Sequence, residues 1–139
     1  MSNRQGIASQ VAWSMIGKPY IWGGDDPVLG FDCSGFVIEI MKSVGVLPKA
    51  GDWTAAELWS KFADRRVEYA SEGHLVFWKN ASGSINHVEY CLDDKHSIGA
   101  SGGCESTTTV ADAVAQNAYI MVRPISSRLR RAGYVDPFK

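Results

Sequence analysis

No stretch of this sequence approaches the roughly 20 consecutive apolar residues that a membrane-spanning helix needs, so membrane insertion is not expected. Charge of one sign is not in excess either. Fourteen Lys and Arg stand against 15 Asp and Glu, a formal net charge of -1, which gives no reason to expect nucleic acid or an anionic membrane as partner. A basic-then-apolar leader is missing, since Arg4 and Gln5 begin what reads as an amphipathic helix. The expectation is a protein made in the cytoplasm without a signal peptide. Cysteine is scarce: Cys33, Cys91 and Cys104 are too few for a disulfide framework and too far apart for a zinc site. A Cys91 to Cys104 bridge could form in an oxidising compartment, which would leave Cys33 unpaired.

What is there fits one domain. A chain of 139 residues, 45% of them hydrophobic, can bury a single core and is too short for two. Ile7, Ala8, Val11, Ala12, Met15 and Ile16 recur at helical spacing from Ser2 to Ile16, with Gly17 and Pro19 as stop signals. Gly23, Gly24, Asp25, Asp26, Pro27 and Gly30 mark a loop. A second helical stripe, Phe36, Val37, Ile40, Met41 and Val44, runs from Cys33 to Val44. A third helix is expected from Asp52 to Phe62, with Thr54 and Glu57 at capping-box spacing.

The period then changes. His74 to Trp78 and His87 to Leu92 read as strands around a turn at Asn80 to Ser84, and Ser97 to Ala100 and Tyr119 to Val122 as shorter ones. Helices first and an antiparallel sheet afterwards predict an α+β domain over 1–125. Residues 126–139, where Arg128, Arg130, Arg131 and Lys139 face only Asp136, read as a basic C-terminal tail.

Cys33 is the residue with chemistry to offer. A thiol attacks as thiolate, and at a pKa of about 8.5 little of it is ionised near neutrality, so a catalytic cysteine needs help. A helix N-terminus at Cys33 would favour the anion, whereas the neighbouring Asp32 would oppose it unless it turns away. Of the three histidines, His96 follows Asp93, Asp94 and Lys95 as an exposed turn residue, and His74 opens a strand. His87 is the candidate base. Strand alternation puts Val88, Tyr90 and Leu92 on one face and His87, Glu89 and Cys91 on the other, where a helix presenting Cys33 could pack.

Tyr20-Ile21-Trp22-Gly23-Gly24, Gly30-Phe31-Asp32-Cys33-Ser34-Gly35-Phe36-Val37, Leu75-Val76-Phe77-Trp78 and His87-Val88 together resemble the NlpC-type family of papain-like cell-wall peptidases. The resemblance implies a papain-like fold with N-terminal helices on a small antiparallel sheet. It also implies cleavage of the amide between γ-D-glutamate and a diamino acid in peptidoglycan stem peptides, with no metal and no cofactor. Cys33 would be the nucleophile, His87 the base, and Tyr20 a hydroxyl lining the site. Asp32 and Ser34 would hold the stem peptide's amino end, with Asp25 and Asp26 adding negative charge; the plainer roles are an N-cap for Asp32 and core packing for Tyr20 and Trp22.

Two positions depart from the family pattern. The third polar residue, twelve positions after the base, falls on Gly99, and His74 stands where aspartate is common. Glu89, on the same strand face as His87, is the proposed orienter; a backbone carbonyl, a shifted His96 or a water could serve instead. Other readings are an amidase or acyl transferase on another small amide, or a catalytically impaired phage structural component. A phage particle or secretion apparatus could carry the enzyme to the wall, with the basic tail as a docking segment.

Overall fold

The computed structural model describes residues 3–26, 30–103 and 106–139. Helix α1 (Arg4–Ser14) buries Ala8 and Ala12 against α2 (Cys33–Ser43), and Arg4 clamps the pair by donating from Nε and Nη2 to the Val44 carbonyl at 3.0 and 2.9 Å. Between them the chain forms a two-strand ladder, β1 (Asp25–Asp26) with β2 (Gly30–Phe31), where the sequence suggests only a loop. The α2 stripe is buried as its spacing predicts, with Phe36, Val37, Ile40 and Met41 at 0% exposure. Helix α3 (Ala55–Lys61) has the expected capping box: Thr54 accepts from the Glu57 amide, and Glu57 accepts from the Thr54 amide.

The remaining elements are β3 (Arg66–Val67), β4 (Leu75–Lys79), β5 (Ile85–Cys91), β6 (His96–Ser101), α4 (Val110–Gln116), β7 (Tyr119–Pro124) and β8 (Arg131–Val135). They make a six-stranded antiparallel sheet in the order β3-β8-β4-β5-β6-β7, so the domain is α+β as expected. The basic tail needs correction. Residues 131–135 pair with β4 through Leu75↔Val135 and Val76↔Tyr134 and with β3 beyond it, placing β8 inside the sheet. Arginines at 128, 130 and 131 disguise this strand as solvated chain, and Gly133 lowers its apparent strand propensity.

Alternation in β5 holds. Val88 and Tyr90 join the main core with the α2 residues, while Cys91 packs in a second cluster with Val76, Trp78 and Ile125. Helix α2 therefore lies on the Val88 and Tyr90 side, not on the face of His87 as the strand pattern alone suggests. The buried Tyr90 hydroxyl ties β5 to α1, 2.9 Å from Ser9 Oγ and donating to the Gln5 carbonyl at 3.0 Å, and Ser9 Oγ in turn donates to Glu72 at 2.7 Å. Tyr90→Phe removes the donor and leaves that carbonyl short of a partner. It is expected to lower unfolding free energy by about 1–2 kcal/mol, readable as a urea midpoint shift at unchanged m value.

Candidate active site

Cys33 is the first residue of α2, and Asp32 is its N-cap: Asp32 Oδ1 accepts from the Gly35 amide at 2.7 Å. Gly35 is required by crowding, since a side chain there would run into the Gly24 carbonyl oxygen. Ser34 Oγ also approaches Asp32 Oδ1, at 3.4 Å. Burial raises the Asp32 pKa, and the Gly35 amide and the Ser34 hydroxyl oppose the rise. The carboxylate thus turns toward the helix start, and the thiol is left half-exposed at the tip of α2, 4.0 Å from the Asn86 carbonyl oxygen.

Strands β5 and β6 pair only at Tyr90↔Ile98 and Cys91↔Ser97. The ladder stops short of His87, and a cleft opens beyond it. Cys33, Asn86 and His87 line one side of a cavity of about 320 Å³, with Ser101, Gly102 and Gly103 continuing from β6 and Tyr20, Trp22 and Arg128 completing the walls. A second cavity of about 380 Å³, shared at Tyr20, Trp22, Cys33 and Asn86, extends to Asp32, Ser34 and Thr54. The helix tip therefore meets the imidazole at the end of the strand ladder rather than across a shared sheet face. Tyr20 is buried at 6% exposure with Gly103 close against its ring, while Trp22 stands half-exposed over the cleft instead of in the core.

His87 is 4% exposed, and its Nε2 lies 2.7 Å from Glu89 Oε2. The other carboxylate oxygen of Glu89, itself 2% exposed, accepts from Ser97 Oγ at 2.8 Å. Burial alone would pull the His87 pKa down. The charge and hydrogen bond of Cys33, followed by those of Glu89, outweigh it and carry the ring up to about 9. Burial likewise pushes Glu89 up, but His87, the Ser97 hydroxyl and the charge of Arg123 hold it below the ordinary carboxylate value. Such an arrangement can take a proton from sulfur and keep it on the ring while the carboxylate faces the far nitrogen.

Gly99 explains how Glu89 fits. A Cβ at position 99 would sit 2.7 Å from Glu89 Cδ and closer still to Cγ. The bare glycine on β6 leaves the space that the β5 carboxylate fills. The other two histidines lie elsewhere: His74 Nδ1 is 2.9 Å from the Tyr69 carbonyl, and His96 is exposed beside Asp93. Cys91 is a free thiol at 0% exposure, its pKa raised first by burial and then by Glu89. Cys104 and the side chains of Asp25 and Asp26 lie outside the described residues, and no His, Cys, Asp and Glu group among the described residues is arranged to hold a metal ion. Sequence reasoning missed Ser97, which joins the site through its hydrogen bond to Glu89, and Asn86 and Arg128, which line the cavity with Cys33.

The NlpC/P60 family model matches residues 17–124, most of the chain. The chain belongs to the NlpC/P60 family. It is 41% identical over 81 residues to Protein P54 of Enterococcus faecium, covering 58% of this chain and 15% of that protein. It is 34% identical over 95 residues to the gamma-D-glutamyl-L-lysine dipeptidyl-peptidase of Bacillus subtilis, covering 63% of this chain and 30% of that protein. It thus spans less than a third of either curated relative. An NlpC/P60 family protein from Bacillus cereus superposes with a TM-score of 0.74 at 22% identity over 94% of this chain and 39% of its own, a likeness of fold. The family match ends four residues before Arg128, so this NlpC/P60 domain brings a cation to its cleft from outside the matched segment.

Proposed function

We propose that the chain is a peptidoglycan hydrolase, a cysteine endopeptidase that cleaves the amide between γ-D-glutamate and the diamino acid of stem peptides. The observation that carries this reading is the Cys33, His87 and Glu89 arrangement at the junction of two clefts. The names of relatives that act on such bonds support it.

In this mechanism His87 takes the Cys33 proton and the thiolate attacks the γ-carbonyl carbon. The tetrahedral oxyanion faces the N-terminus of α2 and the Tyr20 hydroxyl. Collapse expels the diamino acid's amine, which receives the proton from His87, and leaves a thioester on Cys33. Water, deprotonated by the same imidazole, then hydrolyses the thioester. Glu89 holds the ring with its far nitrogen engaged and stabilises the imidazolium. Asp32 and Ser34 line the cleft on the acyl side, where a free amino end of the peptide would lie.

Incubation with purified muropeptides and mass spectrometry of the products tests the proposal. The expected result is a fragment ending in D-glutamate and a partner whose diamino acid carries a new free amine. Intact muropeptides, or cleavage only at another bond, would overturn it.

A further inference from the structure

We infer that Arg128 is a specificity residue of the cleft, receiving a free carboxylate of the substrate peptide; the inference rests on the peptidase reading above. Three observations carry it. Arg128 lines the same cavity as Cys33 and His87, and among that cavity's described residues it is the one permanent cation and none is a carboxylate; Glu89 shares only the neighbouring cavity with it. Its side chain makes no hydrogen bond or ion pair among the described residues, while its guanidinium carbon lies 5.7 Å from the centre of the Trp78 ring, which itself stands 5.4 Å from the His87 ring. Finally, its backbone is held at both ends. Ile125 is buried and its amide bonds to the Lys95 carbonyl, and the Arg130 carbonyl accepts from the Lys79 amide at the start of β8.

A cation placed this way is not a solvated tail residue. The cleft has a sign at each end, with Asp32 in the cavity on one side of the thiol and Arg128 in the cavity on the other. A γ-glutamyl peptide carries complementary charge: an ammonium at its start and carboxylates near and beyond the scissile bond. Two carboxylates could reach the guanidinium, the α-carboxylate of D-glutamate or the extra carboxylate of a diaminopimelate residue. Both offer the planar two-oxygen acceptor that a guanidinium matches.

The test uses the full chain and three peptides with amidated C-termini: L-Ala-γ-D-Glu-L-Lys, the same peptide with D-isoglutamine, and L-Ala-γ-D-Glu-meso-diaminopimelate. Wild type is expected to discriminate about tenfold or more in kcat/KM within one of the two pairs, as one charge-assisted contact supplies. Discrimination between the glutamate and isoglutamine peptides assigns the contact to D-glutamate, and between the diaminopimelate and lysine peptides to the diamino acid. In Arg128→Gln that ratio falls toward one, whereas Arg128→Lys keeps part of it. Circular dichroism melts confirm that the exposed substitution leaves the fold intact. Cleavage of all three peptides at equal rates by wild type, or a ratio unchanged in Arg128→Gln, would overturn this inference alone. Failure of wild type to cleave any of them would remove the peptidase reading along with it.

Discussion

Cys33→Ala is expected to abolish muropeptide cleavage, with a loss of at least about 10⁴-fold in kcat, because the proposed route has no other nucleophile within reach of the carbonyl. The substitution removes one sulfur from a half-exposed position at a helix start, so the fold should change by less than about 1 kcal/mol. His87→Ala is expected to cost nearly as much, and the double variant no more than either single one. Residues that act as a unit lose their joint contribution once. Alkylation mapped by mass spectrometry gives an independent reading. Wild type should label rapidly at Cys33 and not at Cys91, which is fully buried, its pKa raised first by burial and next by Glu89. Residual cleavage by the alanine variant, or additive losses in the double variant, would remove Cys33 from the mechanism.

The elements that were legible in the sequence are those whose periodicity survives burial. Helix α2 is readable because its stripe is buried along its length, and β5 because its alternating residues enter two different clusters. Helix α4 carries no such signal. It is seven residues long, buries only Ala113, and exposes Val110 and Val114, so nothing in its pattern separates it from the polar chain before it. Strand β8 is hidden by its arginines and glycine. The same limit applies to the candidate site. Cys33 and His87 stand in recognisable local contexts, and Glu89 follows His87 by one strand period, whereas Ser97 and Arg128 reach the site only through tertiary placement. The relative position of helix and imidazole was also beyond strand alternation. Alternation orders the two faces of β5, but it cannot say that the ladder to β6 ends before His87 and lets a helix tip in from the end.

Exchanging the positions of the third polar group is expected to separate what Glu89 does from what its neighbourhood does. Glu89→Gln keeps the shape but removes the charge beside His87, and should lower kcat/KM by between about 10² and 10⁴. The sign of its pH effect is fixed by the ring's surroundings. Cys33 and Glu89 hold His87 protonated up to about 9, against a burial that favours the neutral ring. Losing the carboxylate lets burial count for more, so the alkaline limb of kcat/KM, near pH 9 in wild type, should move to lower pH. Gly99→His alone should destabilise the protein by about 1–3 kcal/mol, since the new side chain enters space that Glu89 Cγ and Cδ occupy. Combined with Glu89→Ala it is freed of the Cγ and Cδ clashes and keeps only the tight contact with the residue 89 Cβ, at 3.1 Å. An imidazole growing from β6 then fills the volume the carboxylate has left, 2.7 Å from which His87 Nε2 lay in wild type. The Glu89→Ala/Gly99→His protein should therefore recover at least tenfold in kcat/KM over Glu89→Ala and regain stability over Gly99→His. A double variant no better than Glu89→Ala in turnover would mean that the carboxylate supplies charge an imidazole cannot replace. One no more stable than Gly99→His would mean that the space at 99 is closed by something other than Glu89 Cγ and Cδ.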